Sequence, residues 1–309
     1  MPIITGSENP DVLVGTLGDD TIVALSGDDS VVAGRGDNII FGNQGNDTLR
    51  AGRGQDTLLG GRDNDQLFGN EQNNILSGDV GDDTLFAVDG ENFLFGNDGG
   101  DVLVAGLGND FLYGGQGDDT IWAERGNNVV SGDRGADVLI GGTGENIFVI
   151  NINQGGPEIA DAEQILRFKP NDKLALVGGP DGQTLDKSAI NIAFVRTDAN
   201  STRGNYVLSN LATGEFLAVI RNVRRSALTD ESFTEEIVPS DTPDPGPPQP
   251  PVVDPEDEFP PAPDPGDTTT DPQPPPTPGP GTPPVIEPPV DEDDPDDPGT
   301  GEEEPGDGD

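Results

Sequence analysis

The chain has 309 residues, of which 59 are acidic and 15 basic, for a formal net charge of −44, and it contains no Cys and no His. Hydrophobic residues make up only 31%, against 45 Gly and 30 Pro, so two ordinary cores cannot be filled even though the length suggests two domains. Disulfides, Cys/His zinc sites, thiol or imidazole catalysis and a basic face for nucleic acid are excluded; hard cations with oxygen ligands are the natural partners. No run of 18 apolar residues is present to span a membrane. The N-terminal MPIITGSENP has neither the basic nor the apolar region of a cleaved signal peptide.

From Gly6 the sequence reads in nines, in phase to Val149, as 16 repeats without an insertion. GGQGDDTIW (114–122) shows the best form. Position 4 is Gly in 13 of 16, position 6 is Asp in 11 and Asn in 5, and position 8 is Leu, Ile, Val or Phe in all 16. A glycine-rich stretch of six small polar residues makes a turn rather than a helix. The remaining three residues make a short strand with its central side chain inward. One such unit buries nothing alone, so the units must stack as a solenoid. Two nines make a coil, so an all-β roll of about eight coils is expected, roughly 35–40 Å long at about 4.8 Å per coil.

Stacking places the position-6 carboxylates of every second repeat in columns about 5 Å apart, where they repel one another without a counter-ion. A divalent cation between turns removes the repulsion and takes up loop carbonyls. Such an oxygen-only site suits Ca²⁺ better than Mg²⁺, which demands a tighter octahedron. The candidate ligands are Asp11, Asp29, Asp47, Asp65, Asp83, Asp101, Asp119 and Asp137 in odd repeats, and Asp20, Asp56 and Asp110 in even repeats.

The repeats GNQGNDTLR, GDVGDDTLF and GGQGDDTIW resemble the nonapeptides of the RTX (repeats-in-toxin, haemolysin-type calcium-binding) family. The resemblance covers 6–149. It implies a right-handed parallel β-roll that binds several Ca²⁺ ions through aspartates and backbone carbonyls. It also implies type I export, which uses no cleaved N-terminal signal.

Departures from the consensus are ordered. All eight odd repeats carry Asp at position 6, whereas Asn38, Asn74, Asn92, Asn128 and Asn146 all fall in even repeats. Position 1 is Gly in odd repeats except Ala24, but Ala33, Ala51, Ala87, Ala105 and Ala123 occupy it in even ones. The two edges of the roll therefore differ. Even-edge sites lose ligand charge, and alanine resists a left-handed turn. Arg35 and Arg125, three residues before Asn38 and Asn128, are candidates to replace a cation. Position 9 is apolar in 13 of 16, making the outer sheet faces candidates for self-association or for contact with a cell-surface polysaccharide.

Residues 150–238 lose the repeat and are expected to form a β-rich cap, with strands in SAINIAFVRT, GNYVLSN and GEFLAVIRNV, the last two joined across Leu211–Gly214. Residues 239–309 hold 25 of the 30 prolines and 21 acidic residues with no basic one, and are expected to be a disordered tail. The whole reads as a non-catalytic, calcium-dependent protein, extracellular or on the cell surface, with a structural or adhesive role. The alternatives are a polysaccharide-modifying lyase or epimerase, or the non-catalytic part of an exported toxin or hydrolase. Met1 standing directly before the first repeat weighs against the last of these.

Overall fold

The computed structural model describes residues 1–178, 184–185, 187–196 and 202–234; the proline-rich segment 239–309 lies outside the described residues. Among these, two sheets run the length of a parallel β-solenoid, one of 11 strands and one of 12. Odd and even strands alternate between the sheets, so each strand pairs with the one a full coil away. The register is fixed at 18 residues, as in Leu94↔Leu112 and Leu85↔Leu103.

Most strands are longer than the three residues that the repeat suggests. Thr21–Ser26, Ile39–Gln44 and Phe93–Asp98 each join positions 7–9 of one repeat to positions 1–3 of the next. The reason is steric. Position 1 is small and points inward, so the in-out alternation of a strand continues past position 9. Position 2 then takes a positive φ, 83° at Leu25 and 94° at Gly106, and bends the strand toward the turn. The turn proper contracts to positions 4–6.

Position 8 supplies the core. Ile22, Leu49, Leu76, Leu94, Leu112 and Phe148 are fully buried, and Ala24, Ala33, Ala51, Ala87, Ala105 and Ala123 from position 1 fill the gaps between them. Outside, position 9 lies flat along each sheet rather than standing free. Phe68 stacks on Phe86 at 5.4 Å and Phe95 on Tyr113 at 5.4 Å. Position 7 does the same with Phe93 on Phe111 at 4.9 Å.

The coils do not end at Val149. Strands Glu163–Leu166 and Lys173–Val177 continue both sheets in parallel as a ninth coil. Glu163 and Asp172 stand nine residues apart, each followed two positions later by an inward apolar residue, Ile165 and Leu174. Two degenerate repeats thus follow the 16, displaced by eight extra residues in the turn between Asn151 and Glu163. Beyond them Phe216–Arg224 pairs parallel with Glu163–Leu166, and Arg203–Asn210 and Ile190–Arg196 add to it antiparallel. The turn at Leu211–Gly214 closes through the Asn210 amide to the Glu215 carbonyl at 2.8 Å. The cap shares one continuous core with the roll: Phe148 meets Phe168 at 5.9 Å, and Leu208, Leu217 and Ile220 close the end.

Candidate metal-binding edges

Each coil turns twice, so the roll has two edges, each with a row of position-6 side chains. In both rows the side-chain Oδ1 accepts the backbone N–H of the position-6 residue one coil earlier. The odd row runs from Asp11 N–H to Asp29 at 2.7 Å through to Asp119 N–H to Asp137 at 2.9 Å. The even row runs from Asp20 N–H to Asn38 at 2.9 Å through to Asn146 N–H to Asp172 at 3.0 Å. These residues are buried because neighbouring turns close over them. Position 4 permits the closure: Gly99 has φ 143°, and a Cβ there would lie 1.8 Å from the Gly81 carbonyl oxygen of the preceding coil.

The rows differ in the second side-chain atom. In the odd row Oδ2 of Asp29, Asp47, Asp65, Asp83, Asp101, Asp119 and Asp137 is buried without a donor. In the even row the asparagines supply their own donor. Asn38 Nδ2 reaches the Gly36 carbonyl at 2.8 Å, Asn74 the Gln72 carbonyl at 2.7 Å, Asn92 the Gly90 carbonyl at 2.9 Å and Asn128 the Gly126 carbonyl at 3.3 Å. These are all position-4 carbonyls. Nδ2 also bridges to the next rung, as from Asn38 to Asp56 Oδ1 at 2.9 Å. The carboxamide itself therefore closes these rungs. Arg35 and Arg125 are both exposed, and the rungs at Asn38 and Asn128 are closed by their own carboxamides rather than by the expected guanidinium. Even-row Asp56 and Asp110 keep an orphaned Oδ2.

Asp11 and Asp20 stand apart from the rest. Ser7 N–H donates to Asp11 Oδ2 at 2.6 Å, and Thr16 N–H donates to Asp20 Oδ2 at 2.6 Å. The first coil has no earlier neighbour, and each of its turns folds back on its own carboxylate.

Position 1 also plays a different part from the one expected. Its glycines are not in the left-handed region; that conformation belongs to positions 2 and 4. Glycine at position 1 makes room instead. A Cβ at Gly78, Gly96, Gly114 or Gly132 would fall 2.1–2.2 Å from the Oδ2 of Asp83, Asp101, Asp119 or Asp137. Alanine in the even row occupies the equivalent place.

Burial without donors governs the charge state. Asp65 and Asp119 are pushed up to about 8 by burial, opposed by a backbone amide and reinforced by adjacent carboxylates. Asp47 and Asp83 rise to about 7, and Asp101 and Asp137 to about 6, with burial again the largest cause. Asp29 is raised as well, by burial first. In the even row Asp110 reaches about 6 and Asp56 is raised, both by burial, with the Asn92 and Asn38 amides opposing. Glu163, in the ninth coil, is driven well above the usual range by burial and then by the charges of Asp137 and Asp133.

Among the described residues no three acidic side chains are grouped so as to hold a metal ion. Adjacent odd-row residues offer a cation two carboxylates, and turn carbonyls offer the other ligands, which Ca²⁺ accepts readily. The odd row fits such an ion: it has buried acceptors without donors, turn carbonyls alongside, and glycines that leave space.

A second ladder, on position 5, is absent from the sequence reading. Asp19 Oδ1 accepts the Asp37 amide at 2.9 Å, Asn64 the Asp82 amide at 3.0 Å and Asp118 the Ala136 amide at 2.9 Å. Its signal was Asp or Asn at position 5 in 10 of 16 repeats.

Eight overlapping segments, 5–40, 24–58, 33–67, 41–76, 59–94, 77–112, 95–130 and 113–148, match the profile of the RTX calcium-binding nonapeptide repeat (4 copies). No curated protein matches the chain. Among solved structures it is similar to the AlgE6R3 subunit of the Azotobacter vinelandii mannuronan C5-epimerase, with 16% identity over 86% of this chain and 94% of that one and a TM-score of 0.26. It is also similar to the extracellular lipase LipA from Serratia marcescens, with 16% identity over 75% of this chain, 40% of the lipase and a TM-score of 0.29.

Proposed function

Residues 5–148 belong to the RTX calcium-binding nonapeptide repeat family, and from there we propose that this chain is a non-catalytic β-roll protein that folds on binding Ca²⁺. It works outside the cell or at its surface, in a structural or adhesive role. The observation that carries the calcium part is the run of seven buried Oδ2 atoms in the odd row, none with a donor. Adjacent pairs from Asp29–Asp47 to Asp119–Asp137 are the proposed ligands, each completed by turn carbonyls. Asp56 and Asp110 are weaker ligands, each flanked by asparagines. Asp11 and Asp20 contribute least, since Ser7 and Thr16 already satisfy them.

Bound Ca²⁺ supplies the positive charge that each buried pair lacks, so binding energy becomes folding energy. Sites of the extracellular kind have dissociation constants of roughly 10⁻⁴–10⁻³ M, so the roll would stay loose at cytosolic calcium and form after export. The stacked rings on the outer faces are the surface for a polysaccharide or a second copy. The test is circular dichroism of the full chain with and without millimolar Ca²⁺, with a count of bound ions. A rise in β signal on adding calcium is expected; a full β signal in excess chelator overturns the reading.

A further inference from the structure

The odd row does not stop at its last repeat. In the ninth coil Val138 pairs with Gln164, and the Gln164 amide donates to the Asp137 carbonyl at 2.6 Å. Glu163 therefore stands one coil beyond Asp137, at a strand spacing of about 4.8 Å. It points inward with Ile165, as Asp137 does with Leu139. Glu163 is 5% exposed, yet its Oε2 has no donor. Asp137 Oδ2 has none either, nor does Gln154 Oε1 in the enlarged turn that leads to Glu163.

The other row ends differently. Asp172 Oδ1 accepts the Asn146 amide at 3.0 Å, and its Oδ2 accepts the Lys169 amide at 2.7 Å. One terminal carboxylate is closed by its own turn; the other is left open against a second carboxylate. Eight extra residues between Asn151 and Glu163 widen the odd-edge turn, and a glutamate, one methylene longer than aspartate, still brings its charge back to the row.

We propose that Asp137 and Glu163 form a terminal calcium site that ties the ninth coil, and through it the cap, to the repeats. The proposal rests on the calcium reading above. Strand Phe216–Arg224 hangs on Glu163–Leu166, with Glu163 paired to Ala218, so an ion at Glu163 makes docking of the cap calcium-dependent. Removing that ion would loosen the cap before the middle coils.

The test uses the full chain and calcium alone. Bound ions are counted by equilibrium dialysis, and amide exchange in Phe216–Arg224 is followed against calcium concentration, for the wild type and for Glu163→Gln. The variant is expected to bind one ion fewer and to need about tenfold more calcium to protect those amides, the scale on which ligand charge tunes such sites. A wild type that binds no calcium overturns the underlying reading. A wild type that binds calcium beside a variant with the same count and midpoint overturns this proposal alone. Glu163→Asp, which keeps the charge but withdraws it by one methylene, keeps the test decisive should the Gln variant not fold. A higher calcium midpoint for the cap amides supports the site, and an unshifted one overturns it.

Discussion

One atom separates the two edges. Asn92 Nδ2 donates to the Gly90 carbonyl at 2.9 Å and to Asp110 Oδ1 at 3.0 Å, while Asp83 and Asp101 in the odd row present an oxygen with no donor at the same point. A buried acceptor left unsatisfied costs about 1–3 kcal/mol, more when charged, so each odd rung favours a cation and each asparagine rung does without one. Asp83→Asn or Asp101→Asn should therefore remove a calcium site and raise the calcium midpoint of folding by about tenfold. Asp56→Asn should shift it much less. Equal shifts in a calcium titration followed by circular dichroism would rule out the asymmetry. The reverse change, Asn92→Asp, should make the even edge more calcium-dependent, read as a steeper dependence of the β signal on calcium concentration. The Asp/Asn alternation was legible in the sequence as a pattern. That asparagine closes its own rung was not, because the partner carbonyl is set by turn geometry.

At the scale of the strand and turn, stability comes from stacking identical contacts. Leu94 is fully buried between Leu76 and Leu112, so Leu94→Ala should cost about 2–5 kcal/mol and lower the denaturant midpoint in saturating calcium. The turns add a pH dependence. Their aspartates, with unfolded values near 3.8, are raised to about 6–8 in the folded roll. The folded state thus holds more protons than the unfolded one. Without calcium this contribution is fully present below about pH 4 and is lost as pH rises through 6–8, so acidification in chelator should restore β signal. Calcium must displace those protons, so binding should release them and tighten as pH rises over the same window. Calcium titrations in buffers of different ionisation heat would measure the release; none at pH 6 would contradict the protonated ladder.

In the whole molecule the two ends of the roll are unlike. At the start Ile3, Val12 and Leu17 are 72%, 78% and 85% exposed, and strands Ile3–Thr5 and Val12–Val14 pair on one side only. At the far end Phe148, Phe168 and the strands to Arg224 seal the core. Calcium removal should therefore fray the first coil earliest, with amides of Val12–Val14 exchanging before those of Leu103, as hydrogen exchange at falling calcium would show. The sequence by itself determined the solenoid, its period of 18 and the row of aspartates, because a strict repeat forces equivalent residues into columns whatever else the chain does. The tertiary structure alone decided three things. It set the length of the strands, because positions 1–3 become strand only when a neighbouring coil pairs with them. It gave position 1 its role as a space left for a carboxylate, which depends on a side chain five residues on. It brought Glu163 into the odd row, because an eight-residue insertion breaks the phase in sequence while pairing with Val138–Ile140 restores it in space.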